Sequence, residues 1–295
     1  MESSILLATS IAPGGRLELQ RAAVGSWLTL GFEVVSLNSP AEIGVLAAEF
    51  GDIEFVPQVR TAQSILGTPL IFISDILAYL KQSERPICGI VNSDIFAAAD
   101  KNFSAYLTKQ AKDALVFSPR YQIDSLDDAN LTADALGFDF FVFDRNLIGE
   151  WNESHFCLGM ASWDHWFPLM PLLAGRKVRK LYSPIAKHVR HATPPDRHTM
   201  AYNNEFIGTV IDRIKNAPGK PQSAQSQSAI DDFGGFDLTQ PYMRLIDDLK
   251  RVEGEGANDA AINDCYENLA RFFDEFTRHV IRFLGRNAEK ITYEF

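Results

Sequence analysis

Short apolar runs alternate with longer segments of helical periodicity over the first hundred residues of the chain. Four of these runs have the length and composition of buried strands: Ser4–Ala8, Phe32–Asn38, Ile53–Val56 and Ile87–Val91. Apolar positions at helical spacing fill the intervals between them, at 17–30, 40–50 and 69–80. Because strands and helices that alternate in this way form doubly wound sheets, the pattern predicts an α/β fold. We expect a central, mostly parallel sheet flanked by helices.

The fourth predicted strand, Ile87–Val91, ends abruptly in Asn92, Ser93 and Asp94. Ligands of open α/β sheets bind beyond the carboxyl ends of the strands. Asn92 and Asp94 are two residues apart, so they project to the same side of an extended segment. An amide and a carboxylate together suit a hard divalent cation that also holds phosphate oxygens. The alternative is that these residues cap a following helix, and the tripeptide alone favours that alternative.

The two common glycine-rich phosphate-binding motifs are missing from the first half of the sequence. Neither Gly-x-Gly-x-x-Gly nor Gly-x-x-x-x-Gly-Lys-Ser/Thr occurs there. The segment Ala-Pro-Gly-Gly at 12–15 is more typical of a turn than of a phosphate cradle. A dinucleotide-dependent dehydrogenase and a P-loop enzyme are therefore both disfavoured.

An aromatic segment at 157–167 follows a phenylalanine-rich predicted strand at 137–145. Within it, Trp163 and Trp166 enclose Asp164 and His165. Aromatic faces stack on sugars or bases, and a carboxylate between them can accept a proton from a hydroxyl. Alternatively, a tryptophan-rich helix start packs against the sheet, and the helix dipole stabilises Asp164 in the first turn. The segment by itself favours neither interpretation.

His188 and His191 form the tightest histidine pair of the chain, and Lys187 and Arg190 accompany them. In an acidic protein, such a basic patch can neutralise a diphosphate. A neutral imidazole can also ligate a metal ion. The segment is therefore a candidate for metal or anion binding.

The net charge of -10 and the isoelectric point near 5.1 argue against nucleic acid as a partner. An anionic substrate would need a local basic pocket or a metal ion. The three cysteines are unclustered, as in a reduced protein without a zinc site. The N-terminus lacks the layout of a signal peptide, and no apolar run approaches the ~18 residues of a membrane span. We therefore expect a soluble, cytoplasmic protein.

The order of these features resembles that of the GT-A glycosyltransferases, which transfer sugars from nucleotide sugars. Three features carry the resemblance: an apolar strand that ends in Asn92-Ser93-Asp94, a later Gly159-x-x-x-Trp163-Asp164-x-Trp166, and a strand with His188. The resemblance spans residues 4–200. It implies a GT-A-like sheet and an Asp-x-Asp motif that binds Mn²⁺ or Mg²⁺ with the donor diphosphate. It also implies a catalytic base at the start of a later helix.

Carried over to this sequence, the resemblance implies metal binding by Asp94, His188 and His191. Asp164 would be the catalytic base of an inverting transfer from a nucleoside-diphosphate sugar. Trp163 and Trp166 would form a platform for the acceptor, which would be a glycan, a lipid-linked molecule or another hydroxyl compound. The residues implied in donor binding lie at strand ends: Thr9, Ser10, Ser36, Asn38, Asn92, Ser93 and Asp94.

The sequence departs from the family pattern at two positions. Asn92 replaces the first acid of the Asp-x-Asp motif, so Asp94 is the one carboxylate of that motif. Trp163 replaces the first acid of the usual pair at the base position, which leaves Asp164 alone. The first departure leaves open a catalytically inactive module that binds a nucleotide or sugar. A sugar-phosphate nucleotidyltransferase on a similar sheet is the other alternative. Such an enzyme should have a glycine-rich loop with Arg or Lys after the first strand, and residues 12–16 match that loop only weakly.

The domain organisation predicted from the sequence has three parts. Residues 1–215 form the GT-A-like domain, 216–235 a flexible linker of low complexity, and 236–295 a helical C-terminal appendage. A long amphipathic stripe marks the appendage: Ile262, Cys265, Tyr266, Leu269, Phe272, Phe273, Phe276, Val280 and Phe283. Such a stripe packs on its own domain or forms an interface with a second copy or a partner protein. The aromatic content favours the interface.

Overall fold

The structure is a computed structural model that describes residues 5–14, 16–128, 131–134, 137–191, 198–215, 224–233, 239–254 and 259–294. Its strands are β1 (Leu6–Thr9), β2 (Glu33–Asn38), β3 (Glu54–Pro57), β4 (Ile87–Val91), β5 (Ile95–Ala97), β6 (Ala114–Ser118), β7 (Arg120–Ile123), β8 (Thr132–Asp134), β9 (Phe140–Asp144), β10 (Lys177–Leu181), β11 (Ala186–Val189) and β12 (Glu289–Ile291). The chain has a mixed α/β fold, as the alternating pattern predicts.

Helices separate most of the strands. They are α1 (Leu17–Thr29), α2 (Pro40–Leu46), α3 (Gln63–Leu66), α4 (Ile73–Gln82), α5 (Phe103–Gln110), α6 (Trp163–Leu173), α7 (Thr199–Lys215), α8 (Ala224–Phe233), α9 (Thr239–Gly254) and α10 (Asp259–Asn287). A 3₁₀ helix spans Arg145–Glu150.

The central sheet has eight strands in the order β12-β10-β6-β9-β4-β1-β2-β3. Strand β9 runs antiparallel to both of its neighbours, β4 and β6, and the other pairs are parallel. The sheet is therefore mostly parallel, as predicted. Every residue of β4 is buried, as in a strand covered on both faces. Gly89 permits close packing there, since a Cβ atom would lie 2.7 Å from both Leu7 Cδ1 and Phe141 O.

The two faces of the sheet carry separate apolar layers. One layer contains the buried faces of α4, α6 and α10, and the other contains those of α1 and α5. The predicted helix at 69–80 begins only at Ile73, because the residues before it pair with another segment. Phe72 forms a β-bridge with Cys157, and Leu158 N–H donates to Ile71 O. This tertiary pairing outweighs the helical periodicity of the sequence.

A second sheet of four strands, in the order β5-β11-β7-β8, lies beyond the carboxyl end of β4. Strand β11 pairs antiparallel with β5 and parallel with β7. The register places His188 opposite Ile95 on one side and Gln122 on the other. Because Asp94 immediately precedes Ile95, this sheet brings His188 close to Asp94.

Helix α10 packs against helices α6 and α7. Phe276 of α10 lies with its ring centroid 5.0 Å from that of Phe206 in α7. Strand β12, which follows α10, pairs with β10 and so extends the central sheet. Most of the predicted stripe is therefore covered within the chain, whereas Tyr266 is 40 % exposed. Buried residues of helix α10 are part of the apolar core of the chain.

The predicted linker at 216–235 falls partly outside the described residues, which omit 216–223 and 234–235. The remaining segment, 224–233, is helix α8, and Phe233 at its end is buried against Phe283. Residue 15 of the predicted turn at 12–15 also lies outside the described part of the chain.

Within the described ranges, no helix has both the length and the apolar character needed to span a membrane. The three cysteines are free thiols. Burial raises the pKa of Cys88 to about 11 and that of Cys157 to about 12, whereas Cys265 is partly exposed.

Candidate functional site

A cavity of about 1000 Å³ opens at the carboxyl ends of β1 and β4. One wall consists of the segments that follow these two strands, together with two histidines in and just after β11; we call it the strand wall (residues 10–12, 92–94, His188 and His191). The opposite wall consists of residues from α6, α7 and α10; we call it the helical wall (Asp164, Asn203, Asp274 and Thr277 among them). Its place in the sheet is where ligands of open α/β folds bind.

Asp94, His188 and His191 meet on the strand wall. Asp94 Oδ2 lies 3.3 Å from His188 Nε2 and 3.6 Å from His191 Nε2. One ligand atom from each residue can be chosen so that all three lie within 4.8 Å of one another. A carboxylate and two imidazoles in such a group have the donor atoms of a transition-metal site.

The orientation of His188 is set by its other ring nitrogen. His188 Nδ1 lies 2.9 Å from Gln122 Oε1, and an amide oxygen can only accept, so Nδ1 carries the proton. Nε2 of the same ring faces Asp94. Metal-binding histidines are typically oriented by a hydrogen bond of this kind from the non-ligating nitrogen. The residues present therefore fit a divalent cation.

The charge balance at Asp94 also favours its ionised form. Burial by itself raises the pKa of this carboxyl, but the hydrogen bond and charge of His188 outweigh the effect of burial, aided by His191 and Arg16. The pKa of Asp94 consequently lies below its usual value. An ionised carboxylate is the form that binds a cation.

The structure excludes the helix-cap interpretation of Asn92-Ser93-Asp94. These residues are followed by strand β5 and not by a helix. Ser93 Oγ donates to Gln20 Oε1 at 2.7 Å, and Gln20 also bonds the backbone of Ala12. This link ties the segment after β4 to the segment after β1, and both line the cavity.

Asn92 contacts a residue that the sequence interpretation missed, Asp139. Asn92 Nδ2 lies 2.6 Å from Asp139 Oδ1, and Arg120 Nη1 lies 2.9 Å from Asp139 Oδ2. Burial raises the pKa of Asp139, whereas the Arg120 guanidinium opposes that rise. All three residues line the cavity. No sequence motif marks Asp139, because it sits in a phenylalanine-rich run typical of a buried strand.

Asp164 lies in the first turn of α6 and lines the cavity. Its Oδ2 accepts a hydrogen bond from the Phe138 backbone N–H at 3.1 Å, and its Oδ1 lies 3.1 Å from His165 Nδ1. These contacts hold the carboxylate between the sheet and the helical wall.

The acceptor platform predicted for Trp163 and Trp166 is wrong in this structure. Both side chains are only 1 % exposed, and neither lines the cavity. The Trp163 ring packs against Phe141, and the Trp166 ring packs against Phe156. The apolar alternative, a tryptophan-rich helix start packed on the sheet, describes them, because burial of two indoles outweighs any exposed role.

The polar residues at the ends of β1 and β2 divide into two groups. Ser10 lines the cavity. Thr9, Ser36 and Asn38 are fully buried and bond the backbone of neighbouring segments. Thr9 Oγ1 donates to Val91 O, whereas Ser36 and Asn38 bond the backbone N–H and C=O of Ile11. These three residues therefore shape the loop after β1, and of the four it is Ser10 that reaches the cavity.

The helical wall adds polar residues that no local pattern indicated. Asn203 of α7 and Asp274 and Thr277 of α10 line the cavity. Asp274 and Thr277 lie in the C-terminal helical region, and the packing of α10 against α6 brings them to the site.

No family model matches the chain, and no curated protein matches it. Solved structures do resemble it, at low sequence identity. They include proteins described as a mannosyltransferase, as TarS and as a glucose-1-phosphate thymidylyltransferase. The similarity concerns a mixed α/β fold with a mostly parallel sheet.

Three of these structures show how the coverage and the TM-score vary. The mannosyltransferase PcManGT from Pyrobaculum calidifontis, solved with GDP-Man and Mn²⁺, is 12 % identical; the match covers 97 % of this chain and 86 % of that one, with a TM-score of 0.44. Residues 1–349 of TarS from S. aureus, solved with UDP-GlcNAc, are 12 % identical over 97 % of this chain and 92 % of that one, with a TM-score of 0.49. A protein described as a glucose-1-phosphate thymidylyltransferase from Bacillus anthracis is 10 % identical over 50 % of this chain and 73 % of that one, with a TM-score of 0.33.

Proposed function

We propose that the protein is a metal-dependent glycosyltransferase that moves a sugar from a nucleoside-diphosphate sugar to an acceptor hydroxyl, with inversion. One observation carries the proposal: Asp94, His188 and His191 converge on the wall of a cavity of about 1000 Å³ at the carboxyl ends of β1 and β4. A cavity of this size accommodates a nucleotide sugar.

The donor atoms of the cluster support a choice between the two expected cations. Mg²⁺ prefers oxygen ligands, whereas imidazole suits transition metals. One carboxylate and two imidazoles therefore favour Mn²⁺ over Mg²⁺. Bound there, the cation would act as a Lewis acid that neutralises charge on the departing diphosphate.

The cationic side chains near the cluster support an anionic ligand in an acidic protein. Arg16 lies close enough to Asp94 to lower its pKa, and Arg120 lines the cavity. These two guanidinium groups place positive charge beside the cluster in a chain of net charge -10. A nucleoside diphosphate would be attracted to the strand wall.

Asp164 is the residue that we propose as the base. Its carboxylate faces the cavity, and the contacts to Phe138 N–H and His165 hold its orientation. It would accept the proton of the acceptor hydroxyl as that oxygen attacks the anomeric carbon. Asn203, Asp274 and Thr277 of the helical wall, rather than the buried tryptophans, would face the acceptor.

The test is a thermal-unfolding experiment with UDP, GDP, CDP and dTDP, each with and without Mn²⁺. A ligand that binds only the native state raises the melting temperature. At a ligand concentration a hundredfold above Kd, the free energy of unfolding increases by about 2.7 kcal/mol. We expect a shift with one nucleotide that depends on Mn²⁺. The shift should disappear in Asp94→Ala and persist in Asp52→Ala, whose side chain is exposed in a turn.

The same experiment, together with assays of nucleotide-sugar and nucleoside-triphosphate consumption, separates the alternatives. Binding without Mn²⁺ that survives in Asp94→Ala would contradict the metal assignment. Mn²⁺-dependent binding without release of nucleoside diphosphate from any nucleotide sugar would indicate an inactive binding module. Consumption of a nucleoside triphosphate with a sugar 1-phosphate would indicate a nucleotidyltransferase.

A further inference from the structure

Asn92 and Asp139 are cross-strand neighbours. Strands β4 and β9 pair antiparallel up to Val91 and Phe140, so the next residues of the two strands face each other. The backbone continues this pairing by one step, since Asn92 N–H donates to Asp139 O at 3.1 Å. Side chains directly opposite in an antiparallel pair lie on the same face of the sheet. The register therefore brings the amide of Asn92 against the carboxyl of Asp139, where Nδ2 and Oδ1 are 2.6 Å apart.

The contact determines which way the Asn92 amide is turned. Asp139 Oδ1 accepts from Asn92 Nδ2, and its Oδ2 accepts from the Arg120 guanidinium, which favours the ionised form against the effect of burial. The amide must therefore present its NH₂ group to Asp139, and its carbonyl oxygen is turned away. Within the described part of the chain, that buried oxygen, Asn92 Oδ1, has no hydrogen-bond partner. A buried acceptor left without a partner destabilises the site.

The carbonyl oxygen belongs to a residue of the cavity wall, next to Asp94. Ser93, between them, is held by Gln20, so the segment has a defined conformation. A hydroxyl group of a bound ligand would supply the missing donor, and forming that bond would remove the cost of the unmet acceptor.

Arg120, which contacts Asp139, packs closely against Gly137. The guanidinium of Arg120 lies against Gly137, where an added Cβ atom would come within 2.8 Å of Arg120 Cζ and 2.9 Å of Arg120 Nε. The two segments are also joined by Arg120 N–H, which donates to Gly137 O at 2.9 Å. Glycine at 137 thus permits the position from which Arg120 reaches Asp139 Oδ2.

We propose that Asp139 is a positioning residue that, held by Arg120 over Gly137, orients Asn92 so that its carbonyl oxygen accepts a hydrogen bond from a hydroxyl of the bound nucleotide. The identity of the ligand class rests on the proposed function. The arrangement also gives a physical reason for asparagine at position 92. An aspartate there would place two carboxylates 2.6 Å apart in a buried site, with a single guanidinium to balance them.

The test is a reciprocal exchange of the two side chains. Four proteins are compared: the wild type, Asn92→Asp, Asp139→Asn and the double variant. The affinity for the nucleoside diphosphate that binds the wild type with Mn²⁺ is measured by calorimetry, and the melting temperature is measured without ligand. We expect Asn92→Asp to bind at least about tenfold more weakly, as for loss of a hydrogen bond in a charged site. In Asp139→Asn, two amides face each other without a fixed orientation, so the affinity should fall by a smaller factor.

The double variant is the decisive protein. The amide at position 139 would then accept from Arg120 and donate to the carboxylate at position 92, whose second oxygen still faces the ligand. We expect its affinity to return to within about threefold of the wild type, because the hydrogen bonds and the net charge are restored. Asp144→Asn is the matched control, since Asp144 is a buried carboxylate at the far end of β9, away from the cavity. It should leave the nucleotide affinity unchanged.

Three results would overturn the proposal, and they differ from one another. A wild-type protein that binds no nucleotide would refute the proposed function together with the ligand contact. Nucleotide binding that is equal in the wild type and in Asn92→Asp would leave the proposed function standing and refute the positioning role. Rescue of the melting temperature in the double variant without rescue of the affinity would mean that the pair is only structural.

Discussion

The two walls of the cavity are built in different ways. On the strand wall, polar side chains are oriented by hydrogen bonds to one another: Gln122 orients His188, Asp139 orients Asn92, and Gln20 holds Ser93. On the helical wall, the cavity-facing residues of α6, α7 and α10 stand on an aromatic core. The ring contact of Phe276 with Phe206 is one example of that packing.

This difference determines what a substitution does on each wall. The backbone register of two sheets sets the strand wall, so a changed side chain should alter ligand binding while the fold persists. The packing of helices that are distant in sequence sets the helical wall, so a changed core side chain should alter stability first. Asp164 links the helices to the sheet. It lies in the first turn of α6, and its carboxylate accepts a hydrogen bond from Phe138 N–H, two residues before β9.

The largest effect is expected for Asp164→Asn. The amide preserves the shape and can still accept from Phe138 N–H, but it cannot take a proton from an acceptor. Loss of a general base typically lowers turnover by about 10²–10⁴-fold. Release of nucleoside diphosphate at saturating nucleotide sugar measures this fall, and calorimetry should give an unchanged nucleotide affinity. Turnover equal to that of the wild type would mean that another group serves as the base.

The next effect concerns the stability of the helical wall. Phe276 is 1 % exposed, and truncating a buried phenylalanine typically costs about 3–5 kcal/mol. Denaturant unfolding of Phe276→Ala should show a loss of this size, and unfolding of Tyr266→Ala, at a site that is 40 % exposed, should show about 0.5 kcal/mol or less. If Phe276→Ala were as stable as the wild type, the C-terminal helices would not be part of the common core.

A smaller effect is expected on the strand wall for Gly137→Ala. The added methyl group must displace the Arg120 guanidinium, and Asp139 would lose its fixed partner. We expect a nucleotide affinity about tenfold weaker, measured by calorimetry with Mn²⁺, as for one charged hydrogen bond. Gly149→Ala is the control, because nothing lies within 4 Å of its added Cβ atom. Equal nucleotide affinity in the two variants would mean that Arg120 does not influence the orientation of Asn92.

The smallest effect is expected when the cysteine thiols of the wild-type protein are labelled. Cys88 lies in β4 and Cys157 beneath the helices, and burial raises their pKa values to about 11 and about 12. At pH 8, both are almost entirely protonated and therefore unreactive, whereas Cys265 is partly exposed. Ellman's reagent should modify one thiol of the native protein and three after denaturation. Rapid reaction of Cys157 would reveal a helical wall that opens readily.

Much of the fold follows from local patterns. The apolar runs that end in polar residues correspond to β1, β2, β3 and β4 of the structure. The motif residues Asp94, His188 and His191, separated by almost a hundred positions, converge as a group that could hold a metal ion. Such features are recognisable because strand length, buried composition and ligand chemistry are properties of short segments.

The sequence by itself thus determined the α/β class, the strand ends that carry the candidate chemistry and the residue types available for metal binding. Only the tertiary structure decided that Trp163 and Trp166 are core residues and that Asp139 faces Asn92. It also decided that α10 forms a wall of the cavity. The physical reason is that strand register and helix packing depend on contacts between distant segments, which no local periodicity specifies. Asp139 is the plainest case, because an acid in a phenylalanine-rich run acquires its partners, Asn92 and Arg120, only when β4, β7 and β9 assemble.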